Sequence, residues 1–248
     1  MAPKTILITG ASSGIGAALA RAHAQPGVSL LLWGRDEARL EQTALQCRAL
    51  GASASIQVFD LRDAAGFAAR LTDIAATTDL AIFNAGLGGT APDGAFAETP
   101  QSVQAIAEVN FVAPLMGASV MADAMARRGA GQIVLVGSIS ESFPLPMAPT
   151  YAATKAGLRM FAESLGMRME KHGVAVTLVS PGFIDTPMSQ KVTEPKPFLM
   201  SADAAAKIIA RGIAGRARTI VVPWQFAVIR AFTALLPRAL LRLILSRV

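Results

Sequence analysis

Short, almost unbroken apolar runs alternate along this chain with longer alanine-rich stretches. Lys4–Thr9 reads as a buried strand, followed by a helix from about Ile15 to Gln25. Ser29–Trp33 reads as a second strand, and Arg35–Ala49 as a helix with glutamate and arginine at helical spacing. Further strands are expected at Ala54–Phe59, Leu80–Phe83, Gly131–Gly137, Val174–Ser180 and Thr219–Val222. A strand that is apolar at every position has no solvent face. It belongs in a parallel sheet covered on both sides by helices. The pattern predicts an α/β fold with about seven strands, and ligands in such sheets bind beyond the carboxyl ends of the strands.

The length, 248 residues, fits one large domain, and 52% hydrophobic residues supply a sizeable core. Charged residues make up 16%, and the mean hydropathy of +0.45 is high for a soluble enzyme. The single cysteine, Cys47, excludes an intramolecular disulfide, and its surroundings read as packing or surface. The N-terminus runs straight into the first strand without a charged and hydrophobic leader pattern, so a cytoplasmic enzyme is expected. A net charge of +6 suits an anionic cofactor or an anionic membrane surface. Aromatic residues are only 6%, and the chain has no zinc-finger pattern or aromatic-interleaved basic run, which argues against nucleic acid. His23 and His172 match no metal-ligand spacing, so no catalytic metal is expected.

The first strand ends in Thr9-Gly10-Ala11-Ser12-Ser13-Gly14-Ile15-Gly16, and a helix follows. Glycines let a backbone turn tightly and approach a pyrophosphate, while the helix N-terminus offers free N–H groups and partial positive charge. Ser12 and Ser13 offer further hydroxyls. The second strand ends at Arg35-Asp36, where an adenosine ribose is usually met. A carboxylate there accepts from a free 2′-hydroxyl, whereas an arginine pairs with a 2′-phosphate. Arg35 favours NADP(H) over NAD(H); Asp36 either competes for the ribose or caps the next helix. Asp60 and Leu61 follow the third strand, with Asp60 either accepting from the adenine amino group or serving as a cap or turn residue.

Tyr151 and Lys155 are four residues apart and share one face of a helix. A fixed ammonium beside a phenol favours the phenolate, lowering a pKa that is ordinarily about 10. Ser138 precedes Tyr151 by thirteen residues.

Taken with the cradle, with Asn84-Ala85-Gly86, with Asn110 and with Pro181-Gly182-Phe183-Ile184-Asp185-Thr186, these residues resemble the short-chain dehydrogenase/reductase family in order and spacing. The resemblance spans roughly residues 4 to 190 and implies a single Rossmann-like, doubly wound domain. It implies that Tyr151 is the general acid or base, that Lys155 lowers its pKa and holds the nicotinamide ribose, and that Ser138 binds the substrate oxygen. Asn110 would hold a water linking Lys155 to solvent. Asn84, Ala85 and Gly86 would line the nicotinamide side, and Pro181, Gly182, Ile184 and Thr186 would lie beside the nicotinamide amide. Phe83 departs from the family, which often has asparagine there, and is expected to pack. The resemblance also implies a homodimer or homotetramer.

Pro187–Leu199 is polar, proline-rich and irregular, and reads as a lid over substrate or as a plain surface connection. Phe143, Leu145, Met147, Phe183, Met188 and Phe198 are candidates for an apolar pocket wall. Residues 1–222 are expected to form the nucleotide-binding and catalytic domain, and 223–248 an apolar, basic extension. Arg230, Arg238 and Arg242 would fall within about 120° of one another on a continuous helix. Two readings compete for this segment: a peripheral contact with an anionic membrane, or packing on the domain or a dimer contact. These features together point to an NADP(H)-dependent oxidoreductase for a ketone or secondary alcohol on a lipophilic small molecule. A non-catalytic NADP(H)-sensing protein and a membrane-peripheral scaffold are the rival readings.

Overall fold

The computed structural model describes residues 3–89, 91, 92, 94–192 and 195–235. Seven parallel strands form one sheet in the order β3-β2-β1-β4-β5-β6-β9. They are β1 (Thr5–Thr9), β2 (Ser29–Gly34), β3 (Ser53–Val58), β4 (Leu80–Phe83), β5 (Gly131–Val136), β6 (Val174–Pro181) and β9 (Thr219–Val222). The strand order reverses direction at β1, with β2 on one side and β4 on the other. Each strand that the apolar runs predict is present.

Side chains alternate across a strand, so each strand feeds two cores. Ile6 and Ile8 point to one face, where they join Leu19, Leu40 and Ile209. Those three come from α1 (Gly14–His23), α2 (Glu37–Ala49) and α7 (Ala202–Ala214). Leu7 points to the other face, against Phe67, Met121 and Leu158. These belong to α3 (Ala64–Ala75), α5 (Ala113–Arg127) and α6 (Pro149–Met169). Phe83 is buried and meets Phe67 edge-on at 6.2 Å, so it packs as its apolar character demands. Cys47 is buried and free.

Helix starts follow local chemistry. Asp36, Asp63, Thr99 and Ser201 each accept a backbone N–H at the first turn of α2, α3, α4 (Pro100–Ala107) and α7. Asp36 is therefore a helix cap, one of its two expected readings. Between α4 and α5 the chain makes a π turn, Glu108–Val112.

Two short strands, β7 (Ile184–Asp185) and β8 (Met200–Ser201), pair with each other outside the main sheet. Two-residue strands carry no periodicity, so the sequence pattern does not predict them. They tie the Pro181–Thr186 loop to the start of α7.

The C-terminal expectation needs correcting in part. Residues 225–235 form α8 (Gln225–Leu235) directly after β9, and Phe226 is buried. Its ring lies 6.2 Å from that of Phe183 and 5.8 Å from that of Phe198. The start of the segment is thus docked on the domain, as aromatic packing favours. Residues 236–248, with Arg238 and Arg242, lie outside the described residues, so the described chain does not support an extended tail.

Glycines on the two helices that pack beneath the sheet give a test of opposite sign. A methyl group at Gly117 in α5 would sit 2.6 Å from Phe83, 2.8 Å from Phe67 and 2.9 Å from Leu71. At Gly166 in α6 the nearest neighbour would be Val176, at an ordinary 3.7 Å. Gly117→Ala is expected to cost about 1–3 kcal/mol through overpacking. Gly166→Ala is expected to gain about 0.5–1 kcal/mol from helix propensity. Denaturant unfolding of both variants checks the pair of signs.

Candidate active site

Every parallel strand ends on the same edge of the sheet, and the chemistry-bearing residues collect there. β1 delivers the turn Gly10–Gly14, with Gly10 at φ 68° and Gly14 at φ 54°, a backbone region open mainly to glycine. A methyl group at Gly16 would overlap the Gly10 carbonyl oxygen and lie 2.5 Å from Asn84 Nδ2. Ser13 stands at the N-cap of α1 yet makes no capping hydrogen bond, unlike the cap residues of α2, α3, α4 and α7. The first N–H groups of α1 are therefore left without that partner. This is the arrangement that receives a phosphate.

Asn84 hydrogen-bonds the end of β1 and the turn that follows it. Its Nδ2 donates to the Thr9 and Gly10 carbonyls at 3.1 and 3.3 Å. The backbone N–H groups of Asn84 and Ala85 donate to Thr9 Oγ1 at 3.0 and 3.2 Å. The side chain thus braces the cradle from behind. Thr9, the first residue of the cradle motif, is the acceptor that ties β4 to β1.

Gly86 faces the opposite way. A methyl group there would lie 3.4 Å from Asn110 Oδ1, 3.8 Å from Lys155 Nζ and 4.0 Å from Met188 Cε. Asn110 is buried in the π turn, and both ends of its amide are taken by Leu87. Its Oδ1 accepts from Leu87 N at 2.7 Å and its Nδ2 donates to Leu87 O at 2.8 Å. Its side chain therefore fixes the loop after β4 instead of facing solvent. The π turn shifts the backbone ladder at this point, a feature common at functional sites.

Ser138 follows β5 and starts the short 3-10 turn Ile139–Ser142. Its hydroxyl accepts from Ser140 N at 3.3 Å and also hydrogen-bonds the Tyr151 phenol. Helix α6 presents Tyr151 and Lys155 on one face, as their spacing predicts. The start of α6 is braced by Glu98, whose Oε2 accepts from Thr150 N at 3.1 Å. Lys155 is buried; its Nζ donates to the Val136 carbonyl at 2.9 Å and lies 5.6 Å from the Tyr151 ring centre.

The electrostatics depart from the expected lowering of the phenol. Burial pushes Tyr151 above its ordinary value, the Ser138 hydrogen bond pulls it down, and the Glu141 carboxylate pushes it up. Burial lowers Lys155 to about 8, while Glu141 acts in the opposite direction. Glu141, which carries no signal in the sequence, is a carboxylate whose side chain is fully buried.

The remaining candidates surround this centre. Arg35 is exposed at the end of β2, and Asp36 is turned into the α2 cap. Asp60 is engaged by Arg62, with Nη2 at 2.5 Å from Oδ2, which holds its carboxyl below the usual carboxylate range. Leu61 packs at the edge of the second core. The loop Pro181–Thr186 crosses the front of the cradle: Thr186 Cγ2 would be 3.0 Å from a methyl at Gly14. Ser12, Ser13, Gly14, Thr186 and Pro187 share a cavity of about 300 Å³. Ile184 is buried, and a methyl group at Gly182 would overlap the Phe226 ring.

The six apolar wall candidates do not form one surface. Phe143 and Leu145 line a cleft of about 470 Å³ beside α6. Phe183 and Phe198 hold Phe226, Met188 lies beside Gly86 and Gly88, and Met147 is exposed. Among the described residues, no group of three or more His, Cys, Asp or Glu side chains is placed to hold a metal.

A doubly wound sheet with a glycine cradle at its switch point, beside a serine–tyrosine–lysine set in which Lys155 is buried, defines a dinucleotide-linked oxidoreductase. The family model of short chain dehydrogenases matches residues 4–197. An uncharacterised oxidoreductase from Myxococcus xanthus is 31% identical over 243 residues, covering 97% of this chain and 95% of that protein. A short-chain dehydrogenase from Sphingobium yanoikuyae, solved in complex with NADPH, is 26% identical with a TM-score of 0.82, covering 95% and 97% of the two chains. A bulky-bulky ketone specific alcohol dehydrogenase from Comamonas testosteroni is 27% identical with a TM-score of 0.78, covering 95% and 96%. The chain belongs to the short-chain dehydrogenase/reductase family and is an oxidoreductase.

Proposed function

We propose that this enzyme uses NADP(H) to reduce a ketone on a lipophilic small molecule, or to oxidise the corresponding secondary alcohol. The convergence of Ser138, Tyr151 and Lys155 behind an uncapped helix N-terminus carries this reading. The cradle residues Gly10, Ser12, Ser13, Gly14, Ile15 and Gly16 fit a pyrophosphate, because their backbone leaves room for it and α1 leaves N–H groups for it. Arg35 fits a 2′-phosphate, since Asp36 is engaged as a helix cap and does not compete for the ribose. Asp60 and Leu61 would border the adenine, and Asn84, Ala85, Gly86, Pro181, Gly182, Ile184 and Thr186 the nicotinamide. When bound, the cofactor supplies or accepts the hydride.

The protein's own groups handle the proton. In reduction the Tyr151 hydroxyl gives its proton to the substrate oxygen while Ser138 donates a hydrogen bond to that oxygen. Lys155, held by Val136, supplies positive charge beside the phenolate that remains. Asn110, fixed on the π turn by its pairing with Leu87, would hold a water linking Lys155 to solvent. The Pro187–Leu199 segment would close over substrate, with exposed Met188, Phe198 and Leu199 as its apolar inner face. The lipophilic assignment rests on these side chains and on the Phe143–Leu145 cleft. The exposed Met160 and Met167 on α6 suit a contact in a homodimer or homotetramer, and a cytoplasmic location is expected.

A second reading concerns residues 223–248. Trp224, Val228 and Phe232 are exposed at four-residue intervals at the start of this segment, which suits a peripheral contact with an anionic membrane.

Three measurements test these readings. Tyr151→Phe is expected to lower kcat by roughly 10³-fold, with NADPH affinity by fluorescence titration nearly unchanged; full activity would end the proton assignment. Arg35→Ala is expected to weaken NADPH by about ten- to hundredfold and to leave NADH little changed; equal losses would remove Arg35 from the phosphate. Sedimentation with anionic vesicles is expected to pull down the full chain and not the triple variant Trp224→Ser, Val228→Ser, Phe232→Ser; identical behaviour would remove the membrane reading.

A further inference from the structure

Helix α6 carries both Tyr151 and Lys155, yet its own sequence leaves its start uncapped. The residue at the cap position is Ala148, which has no side-chain acceptor, and Pro149 at the first helical position has no N–H. The first free donor is therefore the N–H of Thr150, one residue before Tyr151. Glu98, from the segment that joins β4 to α4, meets that donor from 52 residues away. Its Oε2 accepts from Thr150 N at 3.1 Å and also from the Thr150 hydroxyl.

Among the described residues, both hydrogen bonds of Glu98 go to Thr150, and its other oxygen, Oε1, is buried without a partner. A buried carboxylate oxygen left without a donor is costly, so surface solubility does not account for the placement. A carboxylate at a helix N-terminus is, in turn, favoured by the helix dipole. The neighbouring residue fixes the arrangement further. Thr99 Oγ1 accepts from Ser102 N at 3.2 Å and caps α4. Adjacent residues thus cap two different helices and hold their starts together. Helix α4 runs into the π turn, whose Asn110 clamps Leu87. The segment from Leu87 to Glu98 is held at one end by Asn110 and at the other by the first turn of α6.

We infer that Glu98 is a positioning residue: by capping α6 from outside the helix, its carboxylate sets where Tyr151 presents its phenol to Ser138 and to the substrate oxygen. This rests on Tyr151 being the proton donor. Tyr151 is the third residue of α6, within the turn that depends on the cap. Lys155 lies one turn further on and is held by the Val136 carbonyl. Loss of the cap therefore displaces the phenol and leaves the ammonium in place. A displacement of about 1 Å at a reacting group can cost about a hundredfold in rate.

Tyr151 is the single tyrosine of the chain, so tyrosine labelled with carbon-13 at Cζ gives one NMR signal that reads its hydroxyl directly. The experiment compares this signal in the full chain and in Glu98→Ala, Glu98→Gln and Glu98→Asp. NADPH affinity by fluorescence titration and kcat for NADPH-dependent reduction of 2-decanone are measured alongside, with thermal melting. Glu98→Ala is expected to move or split the signal, to lower kcat by about ten- to hundredfold and to leave NADPH affinity unchanged. Glu98→Gln keeps an acceptor for both Thr150 donors and is expected to hold the parent signal and kcat. Glu98→Asp keeps the charge but withdraws the acceptor by one methylene, and is expected to follow alanine. Asp63→Ala removes the cap of α3, which carries no site residue, and is expected to lower the melting temperature with the signal unmoved. An alanine signal that coincides with the parent's, a glutamine variant that follows alanine, or an equal shift in Asp63→Ala would overturn the inference. Should Glu98→Ala fail to fold, Glu98→Asp decides, an unmoved signal counting against the inference. The signal needs no substrate, so it decides even where 2-decanone is turned over slowly. Tyr151→Phe, assayed in parallel, separates the two levels. An inactive phenylalanine variant beside an unaffected Glu98→Ala removes only the role of Glu98, whereas an active one removes the proton assignment and this inference with it.

Discussion

A parallel sheet buried on both faces constrains everything else in this molecule. Its central strands β1, β4, β5 and β6 have no solvent side, so they are mostly apolar and must be covered by helices, while the edge strand β3 is partly exposed. Because all seven run the same way, their carboxyl ends open on one edge. The glycine turn after β1, Asn84–Gly86 after β4, Ser138 after β5 and Pro181–Thr186 after β6 are brought together there without any of them being near in sequence. Thr9 shows how the edge is tied: one hydroxyl receives two N–H groups from the end of β4.

Polar groups at this edge are held by backbone more than by one another. Asn84 braces the cradle carbonyls, Asn110 clamps Leu87, and Lys155 reaches the Val136 carbonyl at the end of β5. Such contacts pre-orient the site at the cost of burying polar atoms, which the hydrogen bonds offset. The charges follow the same logic. Burial pushes Tyr151 up and Lys155 down, each toward its neutral form, and Glu141 pushes both up. The bias of the phenol and the ammonium is therefore set first by desolvation, with a nearby carboxylate as a second influence.

Much of this was legible in the residues themselves. The central strands were readable because a buried strand is a nearly unbroken apolar run, and the exposed edge strand β3 because Ala54, Ile56 and Val58 recur at every second position. The cradle was readable because glycine at Gly10, Gly14 and Gly16 has a steric meaning, and the Tyr151–Lys155 pair because a helix places residues four apart on one face. Asp36 had two readings, and its distance to Arg39 N decided for the cap. Other features left no local signal. Glu141 looked like an ordinary polar residue in a loop, and Arg230 like one arginine of an apolar terminal segment. The short pairing of β7 with β8 was hidden because two residues have no period.

The amino-acid order by itself determined the α/β class, the strand ends that matter and the chemical types gathered at them, because periodicity, glycine sterics and helical spacing act over a few neighbouring residues. Only the tertiary structure decided which groups are spent on scaffolding, which way the phenol and the ammonium are biased, and that a carboxylate from the Ser138 turn meets an arginine 89 residues further on. Burial and electrostatic reach depend on what the rest of the fold places nearby, and no local pattern carries that information.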